Sequence, residues 1–262
     1  MVALRSVAGL LRSLAIYYAR PRRLWRLSSF YGQFVGKGDL AFDIGAHVGN
    51  RSLAIARAGA RVVALEPQEP FYWFLKRVMP TAVTVLPIAA GPAAATARMI
   101  VSRLHPTVSS LSAAFADIVR RDSRFARVDW DSSQIVRVTT LDDLITQFGC
   151  PAFVKIDVEG FEDQVLAGLS ASVPALAFEY LPAMADVALA CIDRLERLGP
   201  YEFNFVRGEG IGFELARWVG PADMRNLLPS LASHGRPGDI YARLTMRLHV
   251  DAPRNDAAMK GA

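Results

Sequence analysis

Two clusters of residues in this 262-residue chain combine types and spacing that can do chemistry. The first is Asp43-Ile-Gly45-Ala-His47-Val-Gly49-Asn50, placed directly after a short apolar run and before a helix-forming segment. Glycines in such a turn let a ligand meet the backbone, and the N–H groups opening the next helix are free to bind it. Glu66 closes the following apolar run. An acid at the end of a second strand can accept hydrogen bonds from both hydroxyls of a ribose. The spacing D-x-G-x-x-x-G departs from the G-x-G-x-x-G turn that holds a pyrophosphate, and Asp43 would repel a pyrophosphate while suiting an ammonium group. The same residues would also make a tight strand-to-helix turn with no ligand at all.

The second cluster is Lys155-Ile-Asp157-Val-Glu159-Gly160-Phe161-Glu162. In a strand, alternation sets Lys155, Asp157 and Glu159 on one side and Ile156 and Val158 on the other. Charges flanked by such apolar residues either pair or face the ligand crevice at the carboxyl edge of a sheet. In the first case Lys155 and Asp157 form an ion pair. In the second Asp157 serves as a general base, with Glu159, Glu179 and His47 as further candidates and Lys155 orienting an acceptor. Glu162 and Asp163 fall in the first turn of the next helix, where they suit its dipole.

The elements that must position these groups alternate along the chain. Apolar runs at 40–44, 62–66, 84–89, 153–158, 175–180, 201–206 and 239–244, with a further strand at 135–140, read as strands. Segments 50–59, 70–79, 141–148, 162–169 and 187–199 read as helices. Thr140 followed by Asp143 reads as a capping box opening the third of these. The pattern predicts an α/β Rossmann-like fold: a mostly parallel central sheet, near-continuously hydrophobic because helices cover both faces. Residues 39–250 are assigned to that domain, and residues 251–262 to a disordered tail. Segment 91–135, rich in small, polar and arginine residues, interrupts the alternation and reads as an irregular insertion covering the acceptor, with His105, Ser109 and Ser110 its test residues.

Residues 1–38 read as a basic, amphipathic helical extension. Leu4, Val7, Leu11, Leu14 and Tyr18 share one helical face, and Arg5 and Arg12 another. The helix is expected to pack on the domain, with weak contact to a membrane surface as the alternative. With Arg12 interrupting it, no apolar run reaches the length of a spanning helix. Thirty Lys and Arg against twenty-five Asp and Glu give a net charge of +5, but the arginines are scattered, so no nucleic-acid partner is expected. Cys150 and Cys191 form neither a disulfide framework nor a metal-ligand pattern, which fits a reducing, cytoplasmic setting. No metal ligands are assigned.

Taken in order, DIGAHVGN, ALEP, Ser109-Ser110, VTTLDDL, KIDVEGFEDQVLAGL and AFEY resemble the FkbM family of methyltransferases over roughly Asp39 to Leu181. The resemblance implies S-adenosylmethionine as methyl donor and O-methylation of a hydroxyl-bearing small molecule or glycan: a sugar, glycolipid, polysaccharide or secondary metabolite. Cofactor-binding roles carry over to Asp43, Gly45, Gly49 and Glu66, and Asn50 and His47 lie in the same turn. His47 stands where the family usually has Asn. Two other readings stay open: a nicotinamide-dependent oxidoreductase, and a Rossmann-like binding protein without catalysis.

Overall fold

The computed structural model describes residues 2–18, 21–121, 130–233 and 235–245. Ten strands are described: β1 (Leu40–Ile44), β2 (Arg61–Leu65), β3 (Val83–Leu86), β4 (Ile88–Ala90), β5 (Ala95–Val101), β6 (Ser132–Thr139), β7 (Phe153–Ile156), β8 (Ala175–Tyr180), β9 (Tyr201–Arg207) and β10 (Gly238–Leu244). The described helices are α1 (Val2–Tyr18), α2 (Pro21–Tyr31), α3 (Asn50–Arg57), α4 (Glu69–Val78), α5 (Ala113–Arg121), α6 (Leu141–Phe148), α7 (Glu162–Ala167), α8 (Ala185–Leu198) and α9 (Pro221–Ser233). Seven strands make one sheet in the order β3-β2-β1-β7-β8-β10-β9, parallel except for β10, which runs antiparallel to both neighbours. This is the expected α/β Rossmann-like architecture, a mostly parallel sheet with helices on both faces.

Alternation explains why the central strands are apolar on both sides. Leu40, Phe42 and Ile44 share one core with Val154, Ile156, Leu176 and Phe178, covered by α6, α7, α8 and α9. Ala41, Val62, Ala64 and Phe153 share the other with Leu27 and Tyr31 of α2, Ala54 and Ile55 of α3, and Leu75 of α4. The capping box is present: Thr140 and Asp143 each accept from the other's backbone N–H at the start of α6.

The expected run 84–89 divides at Pro87, whose missing N–H cannot continue a ladder. β3 stays in the main sheet, while β4 joins β6 and β5 in a separate three-stranded sheet. Segment 91–135 is therefore less irregular than its composition suggests. It carries β5, a 3-10 turn at Pro106–Val108 and α5, although 122–129 lie outside the described residues, as does the tail 251–262. β5 escapes a hydrophobic-pattern reading because all of it but Met99 is exposed or only half-buried. α9 is hidden by Pro229, which sits inside the helix.

The helix α1 packs on the domain, but not through the face that its pattern indicates. Gly9 and Ser13 are buried, whereas Val7 and Leu11 are 53% and 60% exposed. Small residues decide the contact: a Cβ on Gly9 would lie 2.2 Å from the Arg103 carbonyl oxygen. The side chains of Leu4 and Arg5 lie outside the described residues.

Candidate functional site

The sheet order reverses between β1 and β7, which is where open α/β sheets form a ligand crevice. The loops leaving these strands are tied together there. Asp157 N–H donates to the Ile44 carbonyl at 2.9 Å, and the Gly45 and Ala46 N–H groups donate to the Leu65 carbonyl at 3.0 and 2.9 Å. Gly45 has φ 85, and a Cβ there would lie 1.9 Å from the Asp157 carbonyl oxygen. The close approach that this glycine permits is thus first of all between the β1 and β7 loops. Gly49, with φ 77, caps α3, and a Cβ on it would meet Leu75 and Met79 at 2.6 and 2.5 Å.

Glu66 follows β2 and is 2% exposed. Its two oxygens accept from the backbone N–H of His47 at 2.7 Å and of Gln68 at 2.8 Å. Burial pushes the carboxyl up to about 8, against the pull of those two donors. His47 makes the first of these bonds from a left-handed backbone, φ 50. Asn tolerates that conformation better than most residues, and His is also enriched there, so the turn accepts His in place of Asn. The imidazole lies between Phe71, 4.6 Å away, and the edge of Tyr17, 5.6 Å away. Burial lowers it to about 4, so at neutral pH it is uncharged and a weak base.

A line of charges runs beneath the crevice on one face of the sheet. Asp43 is buried and accepts from the Ser52 hydroxyl of α3. Lys155, beside it on β7, is wholly buried with its Nζ 3.2 Å from Asp157 Oδ2 and 3.1 Å from Asp239 Oδ1 of β10. Burial opposes the charge on Lys155, but the two carboxylates outweigh it and drive the ammonium group well above its ordinary range. Lys155 does not line the cleft, whereas the Asp157 side chain, 34% exposed, does. The expected ion pair and the expected crevice-facing acid are both present. Arg51 extends the line, 3.7 Å from Asp239 and 3.0 Å from Glu209.

Glu159 stands at the mouth of the same loop with φ 56, also left-handed. Carboxylate oxygens of Asp157, Glu159 and Glu179 come within 4.8 Å of one another, a spacing at which three acids can share protons or a cation. Burial and mutual repulsion raise Glu159 and Glu179 well above the usual carboxylate range. Glu162 does more than face a helix dipole: its Oε1 accepts from the Val158 and Gly160 N–H groups and so holds the loop. Ser110 fastens the other side, donating to the Glu159 carbonyl at 2.8 Å. Ser109 also lines the cleft, its hydroxyl accepting from Ser102 N–H. His105 does not line it.

Together these loops enclose a cleft of about 910 Å³, open to solvent, with Asp43, Gly45, His47, Asn50 and Glu66 along one side and Asp157 and Glu159 along another. Its walls include Tyr17 of α1, Arg51 and Glu209, which the sequence patterns did not single out. One signal for this line of charges was available: Asp239 is the one acid in a mostly apolar strand. Tyr17 and Glu209 come from segments with no such mark.

The family model describing the methyltransferase FkbM domain matches residues 43–198, more than half of the chain. No curated protein matches it in sequence. Among solved structures, the precorrin-6y C5,15-methyltransferase of Geobacter metallireducens shares 13% identity over 83% of this chain and 87% of its own, with a TM-score of 0.43. An rRNA methylase of Streptococcus thermophilus shares 10% over 83% and 94%, TM-score 0.40. A Streptococcus mutans protein described by its methyltransferase assignment, and solved with SAH, shares 11% over 86% and 97%, TM-score 0.36.

Proposed function

Because the chain belongs to the FkbM methyltransferase family, we propose that it moves a methyl group from S-adenosylmethionine to a hydroxyl of a sugar, glycolipid, polysaccharide or secondary metabolite. The observation carrying this reading is the acid-lined cleft, with Glu66 at the end of β2 and Asp157 and Glu159 beyond β7. The Asp157 carboxylate facing the cleft would repel a dinucleotide pyrophosphate, but it favours a ligand bearing a sulfonium and an ammonium. Glu66 keeps acceptor capacity on both oxygens after its two backbone bonds, enough for a pair of ribose hydroxyls. The residues present therefore fit the cofactor.

The bound cofactor supplies an activated methyl group. This chain's residues must align the acceptor, exclude water and take up the hydroxyl proton as the new bond forms. Asp157 is assigned the proton: its carboxylate reaches the cleft while Lys155 holds Oδ2 from below. Lys155, wholly buried, is a positioning residue.

Glu66 makes cofactor affinity depend on pH. In the free protein the carboxyl is mostly protonated below about 8, and two ribose donors favour its ionised form, so binding at pH 7 releases a proton. Affinity should rise by up to about tenfold per pH unit toward pH 8 and level off above it. Glu66→Gln should flatten the profile, as read by calorimetry in buffers of different ionisation enthalpy. An unchanged profile in that variant would move the effect to another group.

Turnover is tested by following SAH release with a panel of sugars and glycolipids. Release that requires a free hydroxyl on the acceptor supports the reading. Cofactor binding without release on any hydroxyl acceptor would favour a binding protein instead.

A further inference from the structure

The outward surface of α1 carries an unusual combination. Val7, Leu11 and Ile16 are 53%, 60% and 54% exposed, and Ala8, Ala15 and Arg12 are exposed with them. Single exposed apolar residues are ordinary, but here Val7 and Leu11 occupy the side of one helix that faces away from Gly9 and Ser13, while Ile16, seven residues on from Gly9, is exposed at the border of the buried side. Nothing among the described residues covers them. The next helix, α2, exposes Trp25 at 71% between the exposed Arg22 and Arg26. On α4, which packs against α1, Trp73 is 64% exposed and Lys76 and Arg77 are exposed.

Charge decides what such a surface fits. Residues 1–38 contain seven Lys and Arg and no Asp or Glu. A protein partner would need its own acidic, apolar face. A bilayer with anionic headgroups supplies both properties at once, and tryptophan and arginine side chains settle at its interface. No described helix is long and apolar enough to cross a membrane, so the fit is to a surface. We propose that the outer faces of α1 and α2 form a docking surface for an anionic lipid bilayer, with Val7 and Leu11 entering the headgroup region and the exposed Arg12, Arg22 and Arg26 contacting lipid phosphates. α1 also supplies Tyr17 to the cleft, so docking would hold the cleft near the membrane. The docking itself does not depend on the methyl-transfer reading.

The test is sedimentation of the full chain with vesicles of phosphatidylcholine alone or mixed with phosphatidylglycerol. The expected result is binding to the anionic vesicles only, weakened by salt at roughly 0.5 M, where the Debye length falls well below 10 Å. Tryptophan emission should shift to the blue on binding, and Trp25→Phe should reduce the shift. Leu11→Asp should weaken binding roughly tenfold or more, since it removes apolar area and adds a repelled charge. Because Leu11 is exposed and outside the cleft, that variant should keep its thermal midpoint and cofactor affinity. Equal binding by Leu11→Asp and the parent chain would overturn the proposal, as would failure to bind anionic vesicles. So would a concentration-dependent dimer in light scattering that Leu11→Asp dissolves, because the face would then belong to a second copy.

Discussion

Asp157→Asn should lower kcat by on the order of 10² or more while cofactor affinity stays within a few-fold. Asn keeps the size and can still accept from Lys155, but it cannot take a proton. A group that acts only in the transition state lowers turnover without weakening ground-state binding. The same carboxylate is half of an ion pair, 3.2 Å from the Lys155 ammonium, so some stability is lost as well. That loss should be modest, about 1–2 kcal/mol, because Lys155 keeps Asp239 at 3.1 Å and the Asp157 side chain is a third exposed. Single-turnover rates, cofactor titration and urea unfolding on the one variant separate the two roles. Near-normal turnover would shift the proton to Glu159 or Glu179, whose oxygens lie within 4.8 Å of Asp157.

Lys155→Met should act mainly on folding. Lys155 is wholly buried between Asp157 and Asp239, and removing it leaves Asp239 buried with Arg51 at 3.7 Å as its remaining cation among the described residues. Breaking a buried pair from one side costs about 3–5 kcal/mol, since the partner charge stays behind without its counter-ion. The urea midpoint should fall accordingly, and the double variant with Asp157→Asn should lose less than the sum of the two. A Lys155→Met protein of unchanged stability would mean that the ammonium is not neutralising these acids in the folded chain.

Much of this arrangement was readable from the chain alone. The strands β1, β2, β7, β8, β9 and β10 follow from apolar runs, since a sheet covered on both faces leaves little choice of residue. The period of two put Lys155, Asp157 and Glu159 on one side, but β7 ends at Ile156, so Asp157 meets Lys155 from the loop beyond the strand and Glu159, at φ 56, follows a turn rather than the alternation. Other features depend on distant partners and leave no local trace. The buried face of α1 is set by Gly9 meeting the Arg103 carbonyl, and no apolar periodicity reports a contact made through small residues. Arg51, Glu209 and Tyr17 reach the cleft from three separate segments. The constraint on Gly45 also comes from afar, from the Asp157 carbonyl opposite it.

The most direct test of the central claim is calorimetric titration of S-adenosylmethionine, and in parallel NADH, into the parent chain and Glu66→Ala. An acid-lined cleft built around Glu66 predicts that S-adenosylmethionine binds, that NADH does not, and that Glu66→Ala weakens the first by roughly 10- to 100-fold through loss of charge-assisted hydrogen bonds. Tight NADH binding, or S-adenosylmethionine affinity unchanged in a folded Glu66→Ala protein, would contradict the account.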